Sequence, residues 1–293
     1  THALRELSAD DGSGPRLDSL DLVFNGSEPI DPGALEASIG GFAQRGFRPS
    51  AMAPCYGLAE ATLAVTLTPR GAGVRIETVD RDALRDGRAI EAGPNRRAVR
   101  LVSCGTPTMG NSVTIVDDTG EECPDRRVGE IVVRGASVCA GYFRDEEATR
   151  VTFRRDGLRT GDEGYLSEGH LFVVGRKKDL LILRGQNVSP VELEWAAERV
   201  PGVRPGGTVA FSVPDPDAGT ERAVVLVRAS GPRRDETTLR RRVSAKIVDR
   251  CGFAADVQVV SAEFVPRTSS GKIRRRAARE KFLQRLRSEA TTR

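Results

Sequence analysis

The stretch Gly175-Arg176-Lys177-Lys178-Asp179 separates two parts of the sequence that follow different patterns. Before it, short β segments alternate with turns, and Glu168-Gly169 is the signal of a β-hairpin. After it, the apolar periods predict the order β, α, β, β, α, β and a C-terminal helix. We therefore predict two domains, residues 1–175 and residues 176–293.

The first domain begins with a pattern typical of an α/β sheet. Leu20–Phe24 is a short apolar run that predicts a buried strand, which ends at Asn25-Gly26. A helix is expected over Pro32–Arg45, because Asp31 can cap it and proline suits the first helical turn. The residues Pro54–Ala61 predict a loop.

The rest of the first domain changes character near Val99. Residues 71–100 are polar and irregular, with one short helix predicted around Arg81–Asp86. Later β segments, among them Val113–Val116 and Glu130–Arg134, predict a small β-barrel or sandwich-like subdomain.

The second domain is predicted as a compact α+β domain. Its first helix should start at a capping box, in which Ser189 caps, Pro190 takes the first position and Glu192 closes the box. The other predicted segments are the strands Leu180–Leu183, Val209–Val213, Ala223–Val227 and Val257–Val260 and the helix Thr237–Arg250. The fold class is therefore α/β plus α+β.

Composition excludes several classes of protein. No apolar run approaches the ~20 residues that a membrane span needs. The five cysteines form no C-x-x-C pair, and an odd number suits idle thiols in a reducing cytoplasm, where we expect this protein. His2 and His170 lie far apart, which argues against a Ser-His-Asp hydrolase or a histidine metal site.

Charge is distributed unequally between the two domains. Residues 1–175 carry a net charge of −7 and residues 176–293 a net charge of +11. Either the two domains face each other or the basic part meets an acidic partner. Nucleic acid is not expected as that partner, because Arg240–Arg242 and Arg274–Arg276 have no interleaved aromatic residues.

Three short segments carry side chains suited to nucleotide chemistry. The Thr/Ser/Gly-rich loop Val265–Ile273 can place Lys272 against an anion, or it is only a mobile surface loop. Asp162 follows Thr160-Gly161 and can accept two sugar hydroxyls, although an Asx-type turn is the commoner role. The charge run Arg176–Asp179 suits a hinge, or a solvated surface.

A fourth segment combines an aromatic ring with a carboxylate. Tyr56 could stack on a purine beside the flexible Gly57. Glu60 could hold Mg²⁺, which takes one or two carboxylates together with phosphate oxygens. The alternative is a core tyrosine and a surface glutamate.

The order and spacing of these segments resemble the later core motifs of the adenylate-forming superfamily. This group includes acyl-CoA synthetases, luciferases and peptide-synthetase adenylation domains. The resemblance extends from about Leu20 to Phe282. It is carried by Asn25–Pro29, Tyr56–Glu60, Gly129–Ile131 with Gly141-Tyr142, Arg159–Asp162, Gly175–Asp179 and Pro266–Lys272.

Within this superfamily the sequence is most similar to the fatty acyl-AMP ligases. Three features carry the likeness: Pro54–Leu63, the long segment 71–100, which resembles the insertion of these ligases, and Pro201–Gly206. The segment Arg184–Pro190 departs from this pattern and is closer to CoA ligases.

The resemblance implies a role for each matching residue. Ser27, Glu28 and Pro29 would line the adenine pocket, Tyr56 would stack on the ring, and Gly57 would belong to the same nucleotide-binding set. Glu60 would hold Mg²⁺, Asp162 would bind the ribose hydroxyls with Arg176 nearby, Lys178 would be the hinge, and Lys272 would reach the α-phosphate and the carboxylate.

The implied reaction has two steps. A fatty acid and ATP would give acyl-AMP and pyrophosphate, and rotation about Lys178 would then withdraw Lys272 and admit a thiol. The acceptor would be the phosphopantetheine arm of an acyl carrier protein, as in polyketide or lipopeptide biosynthesis. Carrier proteins are typically acidic, so the basic second domain would suit docking.

Three alternatives remain open at this stage. The protein could be a long-chain fatty acyl-CoA ligase that uses CoA. It could be a peptide-synthetase adenylation domain, although no flanking carrier segment is recognisable. It could also be a non-catalytic module that docks a carrier protein.

We expect this chain to be the C-terminal part of such an enzyme. The superfamily's Ser/Thr/Gly-rich phosphate loop should lie far before Leu20, and the sequence does not contain it. The chain alone should therefore show negligible adenylation activity. ATP–pyrophosphate exchange with the purified chain measures this, and robust exchange would contradict the expectation.

Overall fold

The computed structural model describes residues 15–94, 97–183, 185–215, 220–231, 235–269 and 271–291. The chain forms two compact units, the first ending at Lys177 and the second beginning at Lys178. This division lies two residues after the predicted domain boundary. Within the described residues, no helix has both the length and the apolar character of a membrane span.

The first unit combines two larger sheets with a separate hairpin. In chain order its elements are β1 (Val23–Asn25), α1 (Pro32–Ala43), β2 (Met52–Leu58), β3 (Leu63–Leu67), β4 (Ile76–Asp80), α2 (Arg81–Arg85), β5 (Ala98–Val102), β6 (Thr106–Pro107), β7 (Asn111–Val116), β8 (Gly129–Gly135), α3 (Glu146–Thr152), β9 (Phe153–Arg154), β10 (Gly157–Ser167) and β11 (His170–Arg176).

The first sheet has the order β1-β2-β3-β6, with β1 and β2 parallel and the other pairs antiparallel. The helix predicted at its start is present but ends at Ala43. The predicted strand is shorter, Val23–Asn25, and the prediction that it is buried is wrong, because Phe24 is 56% exposed. Asp31 caps α1 as predicted, because its Oδ1 accepts hydrogen bonds from the backbone N–H groups of Gly33 at 2.7 Å and Ala34 at 3.0 Å.

The prediction of a loop over Pro54–Ala61 is wrong. Strand β2 runs through most of this segment, because it lies between β1 and β3 and both neighbours pair with its backbone. The glycine that suggested a loop lies instead at a register shift between Tyr56 and Gly57. Tertiary pairing has here overridden the local turn signals.

The second sheet is antiparallel, with the order β11-β10-β8-β7 and β9 added to β10. The predicted hairpin is confirmed: the turn between β10 and β11 is Glu168-Gly169, with positive φ values of 52° and 76°. Buried Ile131, Leu158 and Leu171 from this sheet pack with Val65 of β3 in one apolar cluster. That cluster holds the two sheets of the first unit together.

The segment over residues 71–100 is more ordered than its composition predicts. Helix α2 is present as expected, but β4 and β5 also pair antiparallel from Ile76↔Val102 to Asp80↔Ala98. Val79 and Leu101 pack in the same core as Tyr165 and Phe172. The short strands were missed because their alternating pattern covers too few residues to stand out among the polar ones.

Glu77 attaches this hairpin to β10 through a half-buried network. Its carboxylate accepts hydrogen bonds from Tyr165 Oη at 3.1 Å and Ser167 Oγ at 2.9 Å. It also forms ion pairs with Arg75 at 3.1 Å and Arg126 at 3.2 Å. Burial by itself would raise the pKa of Glu77, but these donors together hold it below its usual value.

The second unit is a sheet covered by helices on both faces. Its elements are β12 (Leu181–Leu183), β13 (Gln186–Val188), α4 (Pro190–Glu198), β14 (Val203–Asp215), β15 (Thr220–Ala229), α5 (Glu236–Cys251), β16 (Ala255–Val259) and α6 (Arg275–Thr291). The predicted order of elements is present, and β13, which pairs with β12, was not predicted.

The residues of β15 alternate between two cores. Val225 faces a cluster that includes Leu193 of α4 and Ile247 of α5. Leu226 faces the other cluster, which includes Phe282 of α6. A strand buried on both faces is apolar at successive positions, and this explains the continuous apolar run in this part of the sequence.

The Ser189 side chain does not take the part predicted for it in a capping box at the start of α4. Ser189 is the N-cap residue and Pro190 the first helical residue, but the Ser189 side chain makes no capping hydrogen bond. Instead the Glu192 N–H donates to the backbone carbonyl of Ser189 at 3.1 Å. The Glu192 N–H, from which the Ser189 hydroxyl would accept in a capping box, therefore already has a partner.

Replacing Glu77 tests whether its network stabilises the first unit. Glu77→Gln should lower the free energy of unfolding by about 2 kcal/mol at neutral pH, because it removes a charge from several donors. The folded-state pKa is depressed, so this stabilisation is present above the unfolded-state pKa and is lost as the pH falls through the folded-state pKa. Urea unfolding followed by circular dichroism, at neutral and acidic pH, measures both effects.

Glu168→Gln is the matched control. Glu168 pairs with the same Arg75 but its side chain is 77% exposed, so its loss should change stability by less than about 0.5 kcal/mol. Equal losses for the two variants at neutral pH would contradict the role given to Glu77.

Candidate nucleotide site

The parallel strands β1 and β2 bring two of the predicted segments to one sheet edge. Asn25 pairs with Pro54, so Ser27, Glu28 and Pro29 follow β1 where Tyr56 continues β2. All three are exposed, and Ser27 has a φ of 72°. A Cβ on Gly26 would lie 2.8 Å from the carbonyl oxygen of Cys55, so glycine permits this close approach.

Tyr56, Asp162 and Arg176 form a hydrogen-bonded cluster. Tyr56 Oη donates to Asp162 Oδ2 at 2.8 Å, and Arg176 Nε lies 3.3 Å from Asp162 Oδ1. The Asp162 side chain is 19% exposed and that of Arg176 is 62% exposed. Burial and the neighbouring Asp162 carboxylate raise the pKa of Tyr56, so the phenol stays protonated and remains a donor.

A break in the strand pairing sets the position of Asp162. The register between β10 and β8 shifts between Arg159 and Glu163, and Gly161 there has a φ of 70°. Thr160 Oγ1 accepts from the Asp162 N–H at 3.1 Å and donates to the Ile131 carbonyl at 2.8 Å. The segment is thus an irregular strand, and this bulge re-aims a carboxylate, as bulges beside active sites do.

Glu60 lies in the short 3₁₀ turn Ala59–Ala61 that follows β2. Its Oε1 accepts from Tyr142 Oη at 2.7 Å, and its carbonyl accepts from the Cys139 N–H at 2.8 Å. The chain then turns back sharply at Thr62 and Leu63, whose φ values are 55° and 91°. The glutamate is therefore held in place by both its side chain and its backbone.

Gly57 makes this return possible. A Cβ on Gly57 would lie 1.5 Å from the carbonyl oxygen of Leu63, which no side chain could accommodate. Glycine at this position lets the turn that carries Glu60 fold closely onto β2.

One carboxylate with phosphate oxygens is a donor set that suits Mg²⁺. Across the described residues, no group of three or more His, Cys, Asp or Glu side chains could hold a metal ion by itself. A single carboxylate such as that of Glu60 would therefore hold Mg²⁺ only together with other oxygens, such as those of phosphates.

Lys178, the predicted hinge residue, lies in the turn Lys177–Asp179. The three charged residues around it form ion pairs. Arg176 pairs with Asp162, Lys177 with Asp118 and Asp179 with Arg275. Lys178 is exposed, and within the described parts of the chain its side chain makes no hydrogen bond or ion pair.

Lys272 lies in the second unit, on the loop before α6. Its backbone N–H donates to Thr268 Oγ1 at 3.0 Å, and its carbonyl accepts from the Thr268 N–H at 2.8 Å. The ammonium group is exposed and, among the described residues, has no acidic partner. Ser270 of this loop, and Arg184 of the segment that departs from the acyl-AMP ligase pattern, lie outside the described residues.

The structure thus brings some of the predicted site residues together within the first unit. Tyr56, Asp162 and Arg176 are in contact, whereas Lys178 and Lys272 belong to the other unit. Sequence reasoning missed Tyr142, the hydrogen-bond partner of Glu60. Its presence in the Gly141-Tyr142 motif was the only signal for it.

Comparison with known proteins gives the family. A family model described as AMP-binding enzyme matches residues 2–143. The chain is 37% identical to a Mycobacterium marinum long-chain-fatty-acid–AMP ligase, FadD32, over 96% of this chain and 51% of the relative. It is 36% identical to the medium-chain-fatty-acid–[acyl-carrier-protein] ligase JamA of Moorena producens, over 97% of this chain and 50% of the relative.

Another relative carries the name of an acyl-CoA synthetase. This Caulobacter vibrioides protein is 38% identical over 88% of this chain and 46% of its own length. The chain therefore spans about half the length of the curated relatives it matches.

Solved structures agree with this assignment. A structure from a study of fatty acyl-adenylate ligases of E. coli and L. pneumophila matches with a TM-score of 0.86 and 30% identity, covering 97% of this chain and 50% of that one. The match includes the elements that carry both the Tyr56–Asp162 cluster and the loop of Lys272. The chain belongs to the adenylate-forming superfamily of AMP-binding enzymes, in which it is similar to the fatty acyl-AMP ligases.

Proposed function

We propose that this chain supplies the adenosine-binding residues and the catalytic lysine of an enzyme that activates fatty acids with ATP. In this reaction a fatty carboxylate oxygen attacks the α-phosphorus, the bond to the β,γ-phosphates breaks, and acyl-AMP and pyrophosphate form. The observation that carries the proposal is the contact of Tyr56 and Arg176 with the carboxylate of Asp162.

Asp162 is suited to bind the ribose of the nucleotide. An ionised carboxylate has two oxygens and accepts hydrogen bonds from both hydroxyls of a sugar diol. Tyr56 Oη and Arg176 Nε reach different oxygens of this carboxylate, which fixes its plane. The ring of Tyr56 packs partly against the apolar cluster of the first unit and would present its free surface to adenine near Ser27, Glu28 and Pro29.

Lys272 is suited to neutralise charge on the α-phosphate and the attacking carboxylate. Lysine is a compact point charge on a flexible stem, and this one is exposed on a loop with a hydrogen-bonded backbone. Phosphoryl and nucleotidyl chemistry depends mainly on positioning and charge stabilisation. Bound Mg²⁺, held by Glu60 together with phosphate oxygens, would supply further positive charge to the leaving pyrophosphate.

The acceptor that we propose for the acyl group is the phosphopantetheine thiol of an acyl carrier protein. Support comes from the name of JamA and from the net charge of +11 over residues 176–293, which suits an acidic partner. CoA is the second candidate, favoured by the CoA-synthetase name of another relative and by the sequence Arg184–Pro190.

Two substitutions separate nucleotide binding from chemistry. Asp162→Asn should weaken ATP binding by about tenfold or more, because it removes a charged acceptor from the ribose. Lys272→Ala should leave ATP affinity nearly unchanged but lower ATP–pyrophosphate exchange by about a hundredfold or more. Both are measured on the protein in the longest form that its coding sequence gives, by calorimetry and by exchange with a fatty acid present.

Lys246→Ala is the control for Lys272→Ala. Lys246 is also exposed but pairs with Asp249 on α5 and has no role in the proposed site, so exchange should be unchanged. Equal effects of the two lysine variants, or full ATP affinity in Asp162→Asn, would refute the assignment of these residues.

The acceptor is tested on the same protein with a preformed acyl-AMP. Transfer to holo-acyl carrier protein should be faster than transfer to CoA by at least about tenfold, as mass spectrometry of the carrier and chromatography of the thioester would measure. Comparable acyl-CoA formation would favour the CoA ligase. Deleting residues 71–100 would not distinguish the two acceptors cleanly, because Val79 of β4 is part of the core of the first unit.

A further inference from the structure

A buried ion cluster lies inside the second unit and joins three of its segments. Arg275 Nη2 lies 3.0 Å and 3.1 Å from the two carboxylate oxygens of Glu194, and its Nε lies 3.3 Å from Oε1. Its Nη1 donates to Asp179 Oδ2 at 2.6 Å. The side chains are 17% exposed for Arg275, 9% for Glu194 and 35% for Asp179, so solvent screens the pair with Glu194 only weakly and the pair with Asp179 more.

Two of the three residues lie close to the proposed hinge and the proposed catalytic lysine. Asp179 follows Lys178 directly, and Arg275 lies three residues after Lys272, at the first position of α6. Glu194 lies in the middle of α4 and also accepts from the Ala210 N–H of β14 at 2.9 Å. Helix α4 and strand β14 thus hold Glu194 in place. Glu194 in turn holds the guanidinium of Arg275, which also contacts Asp179.

The other end of the lysine loop is also fixed by an arginine. Arg267 donates to the carbonyls of Gly206 and Gly271. Residues 267–269 and 271–275, which we call the Lys272 loop, are therefore attached to β14 near one end and to α4 and Asp179 at the other. Its backbone is held while the ammonium of Lys272 stays exposed.

Stability alone is a weak explanation for this cluster. Charged side chains lose hydration when they are buried, and well-packed apolar residues often give equal or greater stability. Burial raises the pKa of Glu194 to about 7, in spite of the opposing charge of Arg275. What a bidentate arginine–carboxylate pair adds is directional geometry, since the planar guanidinium accepts only a narrow range of arrangements.

We propose that Arg275 is a positioning residue that couples the turn carrying Lys178 to the Lys272 loop, through Asp179 on one side and Glu194 on the other. This proposal rests on the proposed function only for the roles of the two lysines. The coupling itself is a property of the fold: loosening the contact at Asp179 should loosen the Lys272 loop, 93 residues further along the chain.

Amide hydrogen exchange measures this coupling directly in the 293-residue chain. Asp179→Asn removes the charge of one partner but keeps its size. Exchange should accelerate by about tenfold in peptides from residues 177–183 and also in peptides from residues 266–274, because a charge-assisted hydrogen bond is weakened. The core strands β14 and β15 should keep their protection.

Asp249→Asn is the matched control, because Asp249 is exposed and pairs with Lys246 within a single helix. It should change neither segment. If Asp179→Asn accelerates exchange only within residues 177–183, or if both variants accelerate the Lys272 loop equally, the coupling is refuted.

The kinetic consequence is measured separately, in the longest form of the protein. Arg275→Ala should lower kcat for ATP–pyrophosphate exchange while the KM for ATP stays nearly constant, and Arg275→Lys should restore part of the loss. If Arg275→Ala does not fold, Asp179→Asn gives the same comparison. If hydrogen exchange shows the coupling but Lys272→Ala leaves ATP–pyrophosphate exchange unchanged, the proposed function is refuted and the coupling stands. The two proposals can therefore fail separately.

Discussion

The hydrogen bond from Tyr56 to Asp162 connects the two sheets of the first unit at the proposed nucleotide site. Tyr56 belongs to the sheet that begins with β1 and β2, and Asp162 to the antiparallel sheet around β10. Below this contact, the apolar cluster around Ile131 and Val65 fixes the separation of the sheets. The polar contact is therefore set by the packing of the core, and the site geometry depends on both.

Local backbone irregularities then direct the functional side chains. The bulge at Gly161 turns Asp162 toward Tyr56, and the close return at Gly57 places Glu60 beside Tyr142. Gly161 adopts a left-handed conformation without the strain that a larger residue would incur, and Gly57 permits a proximity that leaves no room for a Cβ. These irregularities interrupt the regular pairing of the strands, and they orient the carboxylate side chains of Asp162 and Glu60.

The second unit uses a different arrangement. Its sheet is buried on both faces, so the apolar strands give it a rigid centre. It also contains a largely buried ion cluster, in which Arg275 lies between Glu194 and Asp179. A rigid centre with a directional ion cluster beside the loop of Lys272 suits the role proposed for that lysine.

The sequence by itself determined the features that depend on neighbouring residues or on ordered motifs. Asp31 caps α1 and Glu168-Gly169 closes a hairpin, because caps and tight turns are decided within a few residues. The same level of reasoning gave the superfamily and named the residues of the candidate site. Only the tertiary structure decided that β2 is a strand, that β4 and β5 form a hairpin, and that Ser189 does not cap α4 with its side chain. It alone revealed the distant partners of Glu77, Glu60 and Arg275, such as Arg126, Tyr142 and Asp179, because these contacts join residues 49 to 96 positions apart, a separation on which local periodicity carries no information.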